Sequence, residues 1–385
     1  MKLLKDIDVA GKKTLVRVDF NLTLEDGKIL DDFRIRATLP TIKYLIENKA
    51  KVILMSHLGR PEGEKKEEFS LKPVAQKLSE ILGKEVKFVQ DCVGEEAQNA
   101  AASLNEGEIL FLENLRFHKE EEKNDAEFAK QLASLGEIYI NDAFGVSHRA
   151  HASVKAITKI LPSVAGLLLQ KELEVLGKVK DNPDHPFVAV IGGSKISTKM
   201  ELIESFMGKA DSIILGGALA NTVLLAKGIA VGKSMVEEDI LPRVKEMDIT
   251  NNAVHLPVDA ILSVDKEGKG AYEIGPITRT PDNQMILDIG PDTEKLFAKI
   301  LDGAKMIVWN GPMGLFEKEH FAHGTKAIAE AIIKARAFSV VGGGETVAFL
   351  EELGMIDKFD FVSTGGGAMM EFLSGKSLPG VEALK

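Results

Sequence analysis

Residues 192–199, Gly192-Gly193-Ser194-Lys195-Ile196-Ser197-Thr198-Lys199, have the composition of an anion-binding turn. They follow the apolar run 187–191, which reads as a buried parallel strand, and precede 200–207, which reads as a helix. A strand that ends in glycines and opens a helix leaves backbone N–H groups free to face an anion. Lys195 and Lys199 are four apart, so both are expected on one face with converging charges. The competing reading is a pair of solvated lysines at a helix start. The stretch is not a P-loop, because the GxxxxGK[ST] order is absent, and no third glycine completes a dinucleotide fingerprint.

A second set of cations lies in the first half. Of nine arginines, Arg17, Arg34, Arg36, Arg60, Arg116 and Arg149 fall within the first 150 residues. The planar guanidinium fork matches carboxylate and phosphate, so this asymmetry points to an anion site there. The chain as a whole carries a net charge of −10, which argues against a non-specific nucleic-acid binder. His57, His118, His148 and His151 lack a metal-ligand spacing and sit among arginines, so anion binding or hydrogen-bond support suits them better than a metal. Glu345, beside a glycine-rich loop, is the better Mg²⁺ candidate.

These residues need elements to present them. The chain has 385 residues, enough for two or three domains at roughly 150 residues each. Strand-like runs at 14–19, 52–56, 86–89, 109–112 and 138–141 alternate with helix-like runs, and again at 187–191, 212–215, 253–256, 306–309, 338–341 and 361–363. Continuous Val/Ile/Leu strands between amphipathic helices mean parallel sheets covered on both faces, here in two α/β domains. The junction is expected near 164–185, where a helix-like run meets Asp181-Asn182-Pro183. Glu120-Glu121-Glu122 reads as a solvated loop. Ligands in open parallel sheets sit beyond the carboxyl ends of the strands. In the first half those ends carry Asp19-Phe20-Asn21, His57 to Arg60, Asn114 to His118, and Asn141 to His151. In the second half they are glycine-rich: Gly192-Gly193, Gly216-Gly217-Ala218, Asn310-Gly311-Pro312, Gly342-Gly343-Gly344-Glu345-Thr346 and Gly365-Gly366-Gly367. An arginine/histidine site thus faces a glycine-rich, nucleotide-like one. A single cysteine, Cys92, excludes an intrachain disulfide and fits a reducing compartment. No apolar run approaches the ~20 residues of a membrane span. The first ten residues lack a signal-peptide layout, so a cytoplasmic location is expected.

With the blocks 17–21, 56–61, 112–118, 141–153, 192–199, 309–317, 342–346 and 363–384 in this order, the chain resembles the phosphoglycerate kinases over essentially its full length. The resemblance implies two Rossmann-like domains with parallel sheets, joined by a helical hinge. Residues 1–168 would bind the phosphoglycerate, with 371–385 packing back on them, and residues 169–370, linker helix included, would bind the nucleotide. It implies that Asp19, Asn21, Arg34, His57, Arg60, Arg116 and Arg149 hold the phosphoglycerate. By the same match Lys195, Lys199, Gly217, Asn310, Pro312, Glu317, Gly343, Gly344, Glu345 and Thr346 surround ATP or ADP, with Mg²⁺ near Glu345. Arg34 and Lys195, with the backbone of Gly366 and Gly367, would meet the transferred phosphoryl group. A glycolytic monomer whose domains close for reaction, with no membrane or nucleic-acid partner, is what the resemblance implies. Three positions depart from the family pattern: Glu345 replaces the usual Asp, Ala218 a Gly, and Thr23 a Pro. Two rival readings remain. A nicotinamide dehydrogenase should show GxGxxG after an early strand, where this chain has Asp-Phe-Asn. A nucleotide-regulated binding protein should lack turnover.

Overall fold

The Val/Ile/Leu runs become buried parallel strands in two separate units. The computed structural model describes residues 1–25, 27–248 and 251–385. One unit comprises Met1–Val175 with Ser377–Lys385, the other Leu176–Lys376.

The first unit contains β1 (Lys13–Arg17), the short hairpin β2 (Leu24–Glu25) and β3 (Lys28–Ile29), α1 (Phe33–Glu47), β4 (Lys51–Met55), α2 (Lys72–Leu82), β5 (Val86–Phe88), α3 (Gly94–Ala102) and β6 (Ile109–Phe111). It continues through α4 (Lys119–Glu122), α5 (Ala126–Ala133), β7 (Ile138–Asn141) and β8 (Ser163–Ala165). Its sheet runs β5-β6-β4-β1-β7-β8, parallel throughout. Both faces are covered, which is why β1 and β4 are buried at every residue but the first instead of alternating. The last residues belong to this unit: Gly380 N–H donates to the Ser147 carbonyl at 2.8 Å.

Glu120-Glu121-Glu122 is not a solvated loop. It lies in α4, and Glu121 is completely buried. The charge is accommodated because its carboxylate accepts the N–H and hydroxyl of Ser153, partners 32 residues away that no local pattern reveals.

The helix α6 (Leu167–Asp181) contains the division between the units. The second unit then runs β9 (Phe187–Ile191), α7 (Met200–Phe206), β10 (Ser212–Leu215), α8 (Gly217–Ala226), α9 (Leu241–Glu246) and β11 (Val254–His255). Next come β12 (Asp259–Ser263), β13 (Tyr272–Pro276), β14 (Met285–Ile289), α10 (Pro291–Asp302), β15 (Met306–Asn310), α11 (His323–Ala335), β16 (Phe338–Gly342), α12 (Gly344–Glu352), β17 (Phe361–Val362) and α13 (Gly366–Leu373). The first unit ends in α14 (Pro379–Glu382).

The larger sheet of the second unit runs β11-β10-β9-β15-β16-β17, all parallel. The strand order reverses between β9 and β15, and such a switch point opens a crevice at the strands' carboxyl ends. Beside it stands a feature the sequence reading missed, an antiparallel sheet ordered β13-β12-β14. Its edge strand β13, Tyr-Glu-Ile-Gly-Pro, is largely exposed, so it offers neither an apolar run nor a clean alternation.

The start of α6 shows a cost that packing accepts. One oxygen of the buried Asp142, at the end of β7, takes the N–H groups of Leu168 and Leu169 at 2.9 and 3.1 Å. Thr41 supplies a further side-chain hydrogen bond to the carboxyl. Burial raises the carboxyl to about 6, against the pull of its hydrogen bonds. An acid raised in the folded state favours folding fully below its unfolded value of 3.8, and that contribution is lost as pH climbs through about 6. Asp142→Asn keeps an acceptor for α6 and removes the charge. Its unfolding free energy from urea titration should therefore gain on wild type between pH 4 and pH 7, by at most about 3 kcal/mol. A gap that stays constant with pH would contradict this account.

Candidate active site

In the first unit, the loops after β1, β4 and β6 and the segment after β7 gather the cations. Arg34, in the first turn of α1, donates to Asp19 Oδ2 and to the Asn21 carbonyl, both at 3.1 Å. Asn21 Oδ1 accepts from Gly59 N–H at 2.8 Å, and Arg116 donates to the Gly59 carbonyl at 2.7 Å. These bonds knit the post-β1, post-β4 and post-β6 loops into one surface. His57 and Arg116 are buried, Arg34 and Arg149 half-buried, and Arg60 and Asn21 exposed.

The support beneath is Arg17, fully buried at the end of β1. Its Nε donates to Ser153 Oγ at 2.8 Å, and that hydroxyl donates to Glu121 Oε1 at 2.5 Å. Arg17 Nη2 also lies 3.2 Å from His57 Nδ1. The sequence flagged Arg17 only as one more arginine and did not single out Ser153 or Glu121. Their connection spans 136 and 32 positions, so no spacing rule could have found it.

Crowded cations shape one another. His57 is held well below its ordinary value by burial first, then by the charges of Arg17, Arg116 and Arg34. His151 falls to about 3 by burial first, then by the charges of Arg17, Arg116 and Arg149. Arg116 is lowered to about 10, chiefly by burial. His57 and His151 are therefore neutral, and the arginines carry the field. An incoming phosphate or carboxylate would relieve their mutual repulsion.

In the second unit, burial separates the two lysines expected on one face. Lys195 is exposed, whereas Lys199 is only 8% exposed. The helix α7 begins at Met200, so the four-residue spacing spans a turn and not a helix face. Lys199 Nζ donates to the carbonyls of Gly192 and Asn310 at 2.5 and 3.2 Å. Burial lowers it to about 8, against the attraction of Glu345.

Several other predicted residues hold the loops to each other. Asn310 donates its amide to the Gly342 carbonyl at 3.1 Å, and Thr346 Oγ1 accepts from Gly311 N–H at 2.9 Å. Both side chains are buried. Gly217 has φ +66°, and a Cβ there would fall 2.6 Å from Gly193 N, so the close approach of two strand-end loops requires glycine. The loops open into α8, α12 and α13, at whose starts lie Gly217, Gly344 and Glu345, and Gly366 and Gly367. Helix starts present N–H groups and the positive end of the helix dipole to an anion.

Gly217, Ala218, Pro312, Glu317 and the exposed Glu345 line one pocket. Its other wall was missed by sequence: residues 285–289 of β14, with Asn221 and Met235. That wall comes from the antiparallel sheet that the sequence also hid. It includes the buried Asp288, whose carboxyl is raised well above the usual range by burial. Away from this pocket, in the first unit, Asp91, Cys92 and His118 bring ligand atoms within 4.8 Å of one another. His118 Nε2 lies 2.7 Å from Asp91 Oδ1, and burial keeps the Cys92 thiol protonated, so the group ties two loops together.

A family model described as phosphoglycerate kinase matches residues 4–376. The chain belongs to the phosphoglycerate kinase family. A phosphoglycerate kinase of Moorella thermoacetica is 52% identical over 385 residues, covering 99% of this chain and 98% of that protein. Among solved structures, a phosphoglycerate kinase of Coxiella burnetii is 40% identical with a TM-score of 0.86, over 99% of this chain and 98% of that one. One from Pyrococcus horikoshii OT3 is 35% identical with a TM-score of 0.90, over 100% and 98%. The first unit presents a cationic surface and the second a glycine-lined pocket. No helix among the described residues is long and apolar enough to cross a membrane.

The neutral state assigned to His57 and His151 is open to measurement. Their imidazole NMR signals should keep neutral-form shifts from pH 8 to pH 5. A titration midpoint near 6.5 for either ring would show that the arginine field does not reach it.

Proposed function

We propose that the chain catalyses reversible phosphoryl transfer between the acyl phosphate of 1,3-bisphosphoglycerate and ADP, giving 3-phosphoglycerate and ATP. The observation that carries this reading is the pairing of the Asp19–Arg34 ion pair, Arg116 and neutral His57 on one unit with glycine-lined helix starts on the other. In this reading the unit containing Met1–Val175 holds the phosphoglycerate through Asp19, Asn21, Arg34, His57, Arg60, Arg116 and Arg149. The unit Leu176–Lys376 holds the nucleotide through Lys195, Lys199, Gly217, Asn310, Pro312, Glu317 and residues 343–346.

The chemistry asks for little covalent help. The acceptor is already a carboxylate, so no base need remove a proton in the ATP-consuming direction. The protein must align the groups and neutralise charge on the moving phosphoryl. Arg34 and Lys195 are the cations assigned to it, with the N–H groups of Gly366 and Gly367. Arg60, Arg116 and Arg149 with His57 grip the distal phosphate, and Asp19 orients Arg34. Lys199 leaves its two carbonyl partners to meet the nucleotide phosphates. Asn310 and Thr346 act mainly by holding the loops. Glu345 fits a Mg²⁺ role, because its carboxylate is exposed, lines the pocket and stands in the first turn of α12. The ion would neutralise nucleotide phosphate charge there. A cytoplasmic monomer fits the single cysteine and the family likeness.

The deciding assay supplies 3-phosphoglycerate, ATP and Mg²⁺ to the purified chain and traps the acyl phosphate with hydroxylamine. Hydroxamate should accumulate in proportion to enzyme, and its absence would reject the reading. Arg34→Ala should cut kcat by about 10²–10³, as loss of a preorganised charge does, with nucleotide KM nearly unchanged. Near-normal kcat would remove Arg34 from the transfer point.

A further inference from the structure

The turn at 192–199 is held only in part by its own hydrogen bonds, among them Thr198 Oγ1 to the Lys195 carbonyl and Lys199 Nζ to that of Gly192. Residues 193–199 lie in no regular element between β9 and α7, and Gly193 has φ +103°. Such a segment has many alternative conformations to lose on ordering. At its middle, both donors of Ser197 go to a single carboxylate from a distant part of the chain. Ser197 N–H donates to Glu237 Oε2 at 2.9 Å, and its hydroxyl donates to Oε1 at 2.5 Å. Burial opposes the carboxylate's charge, but these two bonds, Ile196 N–H and the charge of Lys195 together hold it below the usual range.

Glu237 is itself anchored. Its N–H donates to Oγ1 of the buried Thr222 in α8 at 3.1 Å. That helix begins at Gly217, a lining residue of the pocket. Two residues before Glu237, Met235 stands in the pocket wall, and Asn221 of α8 donates to its carbonyl at 3.5 Å. One short segment therefore touches both the pocket wall and the lysine-bearing turn.

We propose that Glu237 is a positioning residue, which clamps the 192–199 turn through Ser197 and fixes it to the wall of the nucleotide pocket through Thr222. The proposal rests on the nucleotide reading given above. Glu237 touches no substrate in this scheme. It sets where Lys195 and the turn's N–H groups stand before a phosphate arrives, so the ordering cost is met in the fold and not in binding. A ligand with phosphates depends on the clamp. The same ligand without phosphates does not.

The test titrates the full-length chain with MgADP and, separately, with adenosine. Glu237→Ala should weaken MgADP roughly three- to tenfold, the scale of lost hydrogen bonds, and leave adenosine within about twofold. Ser197→Ala, which keeps the N–H bond, should give a smaller loss of the same kind. Glu237→Gln retains an acceptor for the N–H and should regain most of the MgADP affinity. In turnover, the KM for ADP should rise in Glu237→Ala and the KM for the phosphoglycerate should not. The proposal is overturned by unchanged MgADP affinity in folded Glu237→Ala, or by equal losses for MgADP and adenosine. If Glu237→Ala does not fold, Ser197→Ala decides between the same outcomes. Failure of the wild-type chain to bind MgADP would overturn the nucleotide reading itself, and this proposal with it.

Discussion

The level pairing of β9 with β15 is the constraint on which the second unit's chemistry depends. Asn310 stands opposite Ile191, so both strands end together and their glycine loops leave the sheet side by side. Gly192 N–H donates to the Asn310 carbonyl at 2.9 Å and Gly193 N–H to that of Pro312 at 2.8 Å. These bonds occupy backbone that would otherwise be unpaired at a strand end. The pairing is anchored below by Trp309, fully buried, whose indole donates to the Gly311 carbonyl at 2.8 Å. A one-residue slip would send Trp309 to the other face of the sheet and carry Asn310 away from Gly192.

The first unit solves a different problem. Cations placed close enough to grip a phosphate repel one another in its absence. The fold limits that repulsion in two ways. Arg17 is lodged under the surface against Ser153, whose hydroxyl is in turn held by the buried Glu121 carboxylate. His57 and His151 stay uncharged, so they do not add to the field. Asp19 then sets Arg34 by a direct ion pair in a half-buried position.

Under the proposed function the two sites would hold anions by different means. One uses side-chain charge, which is strong and pays for its strength in buried acids and suppressed protonation. The other relies largely on backbone N–H groups at helix starts, which need no counter-charge but demand close, glycine-permitted contact. Lys199 belongs to both styles. Its ammonium rests on two carbonyls and is largely desolvated.

Most strand and helix positions in the parallel sheets were legible in the sequence, because a strand covered on both faces must be an unbroken apolar run; the short edge strand β8 (Ser163–Ala165) was not. So were the arginine-rich and glycine-rich strand ends, since the chain must present its loops where parallel strands stop. The edge strand β13 was not, because an exposed Tyr-Glu-Ile-Gly-Pro carries no periodic signal. With it went the β14 wall of the pocket and Asp288. Nor could sequence show that Glu121 is buried, that Lys195 and Lys199 part ways, or that Glu237 reaches Ser197 across 40 residues. Residue type and local order determined which groups could bind an anion. Only tertiary packing decided which carboxylate meets which donor, because burial and long-range contact, not spacing, set the charge and orientation of each group.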